Sequence, residues 1–363
     1  MSFDHGSMSL AIFDLPEEVP DNVLDLFAAA KAGSLDSVGI EPQIGWVAGR
    51  HLLDTDFSGE GVAPGGCYYL ALRQAVRKLP AALLNALCKR EEYAKLAAEN
   101  REFLKSKEKK EIREEVIEKY TQKMPPSLSG IQLVIDPSRQ RLYVGATSRT
   151  QLDYFIDNFY QVMKQEPIQI CPEYWMEKHF HSTCASLPVL ATGDAAPGDP
   201  QTGRDFLMFL WYYSEKAGKI EVPDRGEFDL MIEGPLVFAG EGGERGAGEA
   251  TVKKGDSPVR SAEAKAAIAV GKKLRKATLT ITHLDQIWSG TFDADQFTFS
   301  SFKVPESEEV NDFERFADRI AFLDDFTLAL EGYFKLFVES IQGGKSSETA
   351  QKIRDWAHDR DAI

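Results

Sequence analysis

Residues 130–146, GIQLVIDPSRQRLYVGA, decide the fold. Gly130 to Asp136 and Arg141 to Ala146 are two short, mainly apolar runs, Leu133-Val134-Ile135 and Leu142-Tyr143-Val144 at their hearts, with Pro137-Ser138 as the turn between them. That is the pattern of a β-hairpin. The chain then changes pattern. From Thr150 to Met163, Leu152, Phe155, Ile156, Phe159 and Val162 recur at helical spacing, which predicts an amphipathic helix with these residues inward. Upstream, Cys67 to Val76 reads as a strand. Pro80 suits the first turn of a helix, where its missing N–H would be unpaired anyway. The order is therefore strand, helix, hairpin, helix over about 67–163. It recurs over about 228–341, with strands at Phe228–Phe238, Thr278–Ile281, Trp288–Phe292 and Phe297–Val304, a helix at Ala262–Lys276 N-capped by Ser261, and a long helix at Phe313–Ile341. The fold class is α+β, built as two similarly wired halves.

The helical segment Ala81–Lys123, broken near Ser106, differs from the rest. It holds no Gly or Pro and is dense in Lys, Arg and Glu, with pairs four apart such as Glu91–Lys95 and Glu115–Lys119. Its apolar positions Tyr93, Leu96, Phe103, Ile112, Val116 and Tyr120 form a thin stripe, so it reads as a charged arm or helical hairpin. Met124-Pro125-Pro126 ends it. The organisation that follows is a first α+β region at 9–88 and 128–165, a helical arm at 89–127, a second α+β region at 166–304 with a basic helix at 262–276, a C-terminal helix at 305–342 and a polar tail at 343–363 with a short helix at most. The stretch Ala185–Gly203, rich in Ala, Pro, Gly and Asp, reads as a linker. The first seven residues read as an extension ahead of a start at Met8.

Composition is that of a globular protein: 43% hydrophobic and 27% charged over 363 residues. No run of about 18 apolar residues predicts a membrane span. The four cysteines, Cys67, Cys88, Cys171 and Cys184, are sparse and irregularly spaced, which suits a reducing cytoplasm. The formal net charge is −15, yet Thr251–Lys276 carries Lys253, Lys254, Arg260, Lys265, Lys272, Lys273, Arg275 and Lys276 against Asp256 and Glu263 only. A focused positive surface on a negative body suits a polyanion such as nucleic acid. The same composition also suits a solvated basic helix face. On a helix, Lys265, Lys272 and Lys276 fall within about 40° of one another, with Lys273 and Arg275 flanking them. Such a row lies along a phosphate backbone and reads no bases, so it predicts affinity without sequence preference.

Catalytic chemistry is sought without result, and no catalytic residue, metal site or cofactor is assigned. The Gly240–Gly248 loop departs from G-x-G-x-x-G and lacks G-K-[ST], so it reads as a mobile surface loop. Cys171, His179, His181 and Cys184 match no common zinc spacing. Asp224 and Glu227 come near a nuclease carboxylate grouping, but no Glu-x-Lys follows; Asp293 and Asp295 flank a turn.

Several stretches in order resemble the RdgC family of recombination-associated proteins. They are Ile44–Val47, the run from Leu72-Arg73 through Arg77 to Pro80, KEKKEIREEV ending at Val116, Val134–Gly145, Gly203–Trp211, and Ala262–Val304 with its Val270-Gly271-Lys272-Lys273-Leu274. The likeness covers most of residues 9–341. It implies a subunit with centre, base and tip regions. Two such subunits form a closed homodimeric ring whose basic hole binds double-stranded DNA without sequence preference and restrains RecA-mediated strand exchange. It implies a cytoplasmic, nucleoid-associated, non-enzymatic protein whose partners are DNA, a second copy of itself and RecA, with no membrane. It carries inner-surface basic positions onto Lys123, at the arm tip, and Lys254; Arg73 and Arg77 join the candidate DNA-binding set. At the family's aromatic tip contact stand Met124 and Pro125, and Gly255 replaces a polar amide after Lys254. Two other readings remain: a metal-dependent DNA nuclease, and an interaction module acting directly on a recombinase through the charged arm.

Overall fold

The computed structural model describes residues 3–190, 201–240, 248–253, 258–342 and 346–359. Lys254, Gly255 and most of the Gly240–Gly248 loop and the Ala185–Gly203 linker lie outside them. The chain divides into two compact units.

The larger unit comprises Met1–Val19, Ala63–Tyr68 and Leu133–Ile363. The predicted hairpin is its organising element. Strand β4 (Ser127–Asp136) pairs antiparallel with β5 (Arg141–Val144) through Leu133↔Val144 to Asp136↔Arg141. The Asp136 carboxylate shapes the turn by accepting from the Ser138 and Arg139 N–H groups at 3.0 and 3.2 Å. β5 pairs with β1 (Met8–Asp14), and β1 with β12 (Thr298–Lys303) and the short β6 (Ile168–Gln169). The sheet continues antiparallel through β11 (Gln286–Asp293), β10 (Lys273–His283), β8 (Gly226–Ala239) and β7 (Lys219–Val222), with β9 (Glu249–Val252) also on β8.

Helices cover this sheet because their apolar stripes have nowhere else to go. Helix α4 (Arg149–Met163) starts at the Ser148 cap and buries Leu152, Phe155, Phe159 and Met163. Helix α8 (Asp312–Ile341) buries Phe316, Ile320, Leu323, Phe326, Leu330, Tyr333, Phe334, Phe337 and Ile341, each contributing about 1.5–3 kcal/mol of burial. Phe326 packs edge-on against Phe299 of β12 at 5.0 Å, and Tyr333 donates to the Gly218 carbonyl at 2.6 Å. Helices α5 (Pro172–Phe180) and α6 (Thr202–Lys216) complete the layer; Trp175 packs against Phe334 in a tilted pair with centroids 5.2 Å apart. The aromatic run Phe206–Trp211 is buried on α6. The polar tail forms α9 (Ser346–Asp359), longer than the short helix expected, because Ile353, Trp356 and Ala357 supply a buried face. Trp356 donates to Glu215 at 2.8 Å. Residues 3–7 also belong to the fold: Phe3 is buried, and Arg319 donates to the Phe3 and Gly6 carbonyls at 2.7 and 2.9 Å.

A cluster of charges is buried in this unit. Arg141 lies 3.0 Å from Asp14, which also receives Lys178 at 2.5 Å and the Tyr174 hydroxyl at 2.7 Å. Arg139 bridges Asp136 at 2.6 Å and Asp324 at 2.9 Å. Burial works to raise the Asp14 pKa, but Arg141, Lys178 and Tyr174 together hold it below the usual carboxylate value.

The smaller unit comprises Pro20–Val62 and Tyr69–Gln132. Helix α1 (Val23–Ala29) packs on β2 (Gln43–Ala48), with Phe27 edge-on to Trp46 at 4.7 Å. β2 pairs antiparallel with β3 (Tyr68–Val76). The charged arm is a helical hairpin of α2 (Ala81–Glu99) and α3 (Ser106–Thr121). Its thin stripe makes a small core of its own from Leu84, Leu87, Cys88, Leu104, Ile112 and Val116. Asn100 ends α2 in the left-handed conformation at φ 49°. Arg101 then clamps Glu108 with two hydrogen bonds of 2.6 and 2.8 Å across the turn. Among the described residues, no helix is long and apolar enough to cross a membrane.

Candidate nucleic-acid interface

The expected basic helix is shorter than its sequence suggests. Helix α7 runs from Ala262 to Ala269, capped by Ser261, whose hydroxyl accepts from Ala264 N–H at 3.1 Å. Gly271, at φ 85°, stops it. Lys272 N–H reaches back to the Ala267 carbonyl at 3.0 Å and Gly271 N–H to Ile268 at 2.9 Å, a Schellman cap. Lys273, Arg275 and Lys276 therefore stand on strand β10, and the single helical row of cations does not form.

Three of those cations already have counter-ions. Lys273 is 5% exposed, and its ammonium lies 2.7 Å from the buried Asp205. Arg275 meets Glu249 at 2.9 Å and Asp295 at 3.1 Å. Lys276 meets Asp293 at 2.8 Å. Asp293 and Asp295 also shape a turn, since Asp293 accepts from Asp295 N–H at 3.0 Å. Arg204 grips Asp295 with two bonds of 2.6 and 2.7 Å. Lys253 and Arg260 are exposed, and Lys265 and Lys272 are half-buried on and just after α7. One of these counter-ions was legible in the strand register. The β10–β11 turn at Leu284-Asp285 sets Lys276 directly opposite Asp293.

The candidates in the smaller unit also separate. Arg73 is buried on β3 and donates to the Leu52 carbonyl at 3.3 Å and to Gly33 and Gln43. Arg77 donates to the carbonyls of Val38 at 2.8 Å, Leu35 at 3.3 Å and Met124. Both arginines tie backbone together. Lys123 and Met124 follow the end of α3, so they lie at the root of the hairpin, not at its turn. Lys123 is exposed, with its ammonium 5.2 Å from the Tyr120 ring; Pro125 is exposed beside it. The turn between α2 and α3 instead carries Phe103, 71% exposed, and Tyr93 nearby on α2 is 67% exposed.

The residues considered for metal or catalysis have other partners or environments. His179, on α5, lies 3.2 Å from Glu331, and burial lowers its pKa although Glu331 opposes the shift. His181 caps α5. Burial pushes the Cys184 thiol up to about 12 and raises that of Cys171. Asp224 sits in the β7–β8 turn, and Glu227 pairs with Lys219 at 2.7 Å. Among the described residues, no group of three or more His, Cys, Asp or Glu side chains is placed to hold a metal ion.

The architecture is thus an antiparallel α+β protein with a helical hairpin, and Lys253 and Arg260 stand exposed near α7. Residues 18–177 match a family model described as "RdgC: Putative exonuclease, RdgC", so the resemblance to the RdgC family is shown over that stretch. The match takes in the whole hairpin and the β4–β5 turn, and ends before α7. No curated protein matches the chain.

Proposed function

We propose that this protein binds double-stranded DNA without sequence preference and acts in recombination as a nucleoid-associated, ring-forming homodimer that restrains RecA-mediated strand exchange. The match over residues 18–177 carries the reading, since it supports a recombination-associated DNA-binding role at the level of the family. The charge distribution supports it independently. A chain of net charge −15 repels DNA over most of its surface, so contact has to be focused. Lys253 and Arg260 are the contact set favoured near α7, because both are exposed; Lys254, Lys265 and Lys272 stay in the set as candidates. Arg73, Arg77, Lys273, Arg275 and Lys276 drop out because each is already engaged. The two-fold tip contact moves from Met124 and Pro125 to the hairpin turn at Phe103.

A salt titration of DNA binding tests this. Log affinity is expected to fall with log salt at roughly −0.9 per phosphate contacted, equally for duplexes of unrelated sequence. A flat salt response sinks the reading. The family's description as an exonuclease favours one rival, a nuclease. Mg²⁺-dependent release of nucleotides from linear DNA, abolished by EDTA, would establish that rival.

A further inference from the structure

The two helices of the hairpin enclose a groove of about 470 Å³, lined by Asn85, Cys88, Lys89 and Glu92 of α2 and by Lys109, Lys110 and Arg113 of α3. Of its four cations, Lys89 is held by Glu92 at 3.2 Å and Lys110 by Glu114 at 3.6 Å, while Lys109 and Arg113 have no carboxylate among the described residues. We infer that this groove is a second DNA-contacting surface, which seats phosphates of the nucleic-acid backbone against Lys109 and Arg113. The inference rests on the DNA-binding reading above and extends it to a surface separate from α7.

Two observations support it. The first is charge complementarity: two neighbouring cations at a concave surface, with no carboxylate paired to them, focus positive potential on whatever lies in it. The second is a break in the pattern of α3. Lys107 pairs with Glu111 and Lys110 with Glu114, each four residues on, at 3.9 and 3.6 Å. Lys109 should find a carboxylate at 113 by the same rule, and finds Arg113 instead. Like charges four apart weaken a helix. Both side chains are exposed, and neither makes an ion pair among the described residues. A local rule broken on a surface helix, with no compensating contact, marks a position kept for a ligand. Phosphate oxygens supply the missing counter-charge, and an arginine fork binds them in a bidentate manner.

The test compares the full chain with Lys109→Glu/Arg113→Glu, and with Lys352→Glu/Arg354→Glu on α9 as a variant of equal charge change. Binding to a fluorescent duplex is followed by anisotropy across a salt series. The groove variant is expected to bind at least tenfold more weakly. Its log–log slope should be smaller by roughly 1.8, from two contacts at roughly 0.9 each. The α9 variant should change much less. If both variants lose affinity equally, net charge governs binding and the groove is overturned. If the groove variant binds like the parent, the groove is overturned while the DNA-binding reading stands. If the parent itself binds without salt dependence, both fall together. Should circular dichroism show the glutamate variant unfolded, the neutral Lys109→Gln/Arg113→Gln variant carries the same comparison.

Discussion

Lys273 and Asp205 form a buried ion pair at 2.7 Å, their side chains 7% and 5% exposed, where the charge pattern alone would place a DNA-facing lysine. Asp205 lies in the first turn of α6 and also accepts from Leu190 N–H at 3.4 Å. The pair therefore fastens β10 to the start of α6. Lys273→Ala leaves an uncompensated buried carboxylate, for which a loss of about 3–5 kcal/mol is expected. Urea unfolding measures it. Lys273→Met/Asp205→Asn removes both charges and should recover much of that loss. If Lys273→Ala instead leaves stability unchanged and weakens DNA binding, Lys273 belongs to the interface.

Near α7 the expectation reverses. Lys253 and Arg260 are exposed, so their reversal to Glu should leave the fold within about 0.5 kcal/mol of the parent. DNA affinity should fall uniformly across unrelated duplexes, because phosphate contacts carry no sequence information. A loss confined to one sequence would mean that these residues read bases. No loss on any duplex would remove them from the contact set.

The buried charge cluster makes stability depend on acid. Asp14 is held below the ordinary carboxylate value, so the unfolded chain takes up its proton first as pH falls. Its contribution is complete above the unfolded value of about 3.9 and is lost as pH drops through the lower folded value. Asp14→Asn should lower the melting temperature at pH 7, where Arg141 and Lys178 lose their partner. The melting temperatures of variant and parent should converge towards pH 3. Parallel curves across pH 3–7 would show that Asp14 does not titrate with unfolding.

The regular elements are legible because their local signals agree. The hairpin at 130–146 is two short apolar runs around a turn with an aspartate, Asp136; α4 keeps Leu152, Phe155 and Phe159 on one face beyond a serine cap. The misread elements have mixed signals. Ala262–Lys276 stays helix-compatible through its alanines and lysines, and only Gly271 marks the change to a strand. That one glycine moves three cations from a helix face to a sheet, where the aspartates of the next strand and of α6 reach them. The docking of α9 was present in Ile353, Trp356 and Ala357, spaced three and four apart, and was masked by the polar residues around them. The hairpin root was mistaken for its tip because helix breakers stand at both places, Asn100 at the turn and Pro125-Pro126 after α3. Helix lengths settle the matter: 19 and 16 residues can pack antiparallel only if the chain reverses between them.

That reversal decides where a tip contact can form. The turn is rigid enough to present a side chain, because Glu108 both accepts from Lys105 N–H at 2.7 Å and is clamped by Arg101. Those hydrogen bonds hold the Glu108 pKa down to about 2, so the clamp persists through the neutral range. Phe103 is carried on that turn and left 71% exposed. A large aromatic presented on a rigid turn offers apolar area that a partner surface can cover. In a two-fold contact the same patch meets its own copy, so one exposed phenyl ring per subunit is self-complementary. Phe103→Asp sets two carboxylates face to face across such an axis. It is expected to open the tip contact, shown by a lengthened distance distribution between spin labels at Ser106, while light scattering still reports a dimer held elsewhere. Met124→Asp, at the hairpin root, should leave that distribution unchanged. A Phe103→Asp protein whose tip distances match the parent's would place the two-fold contact away from the hairpin turn.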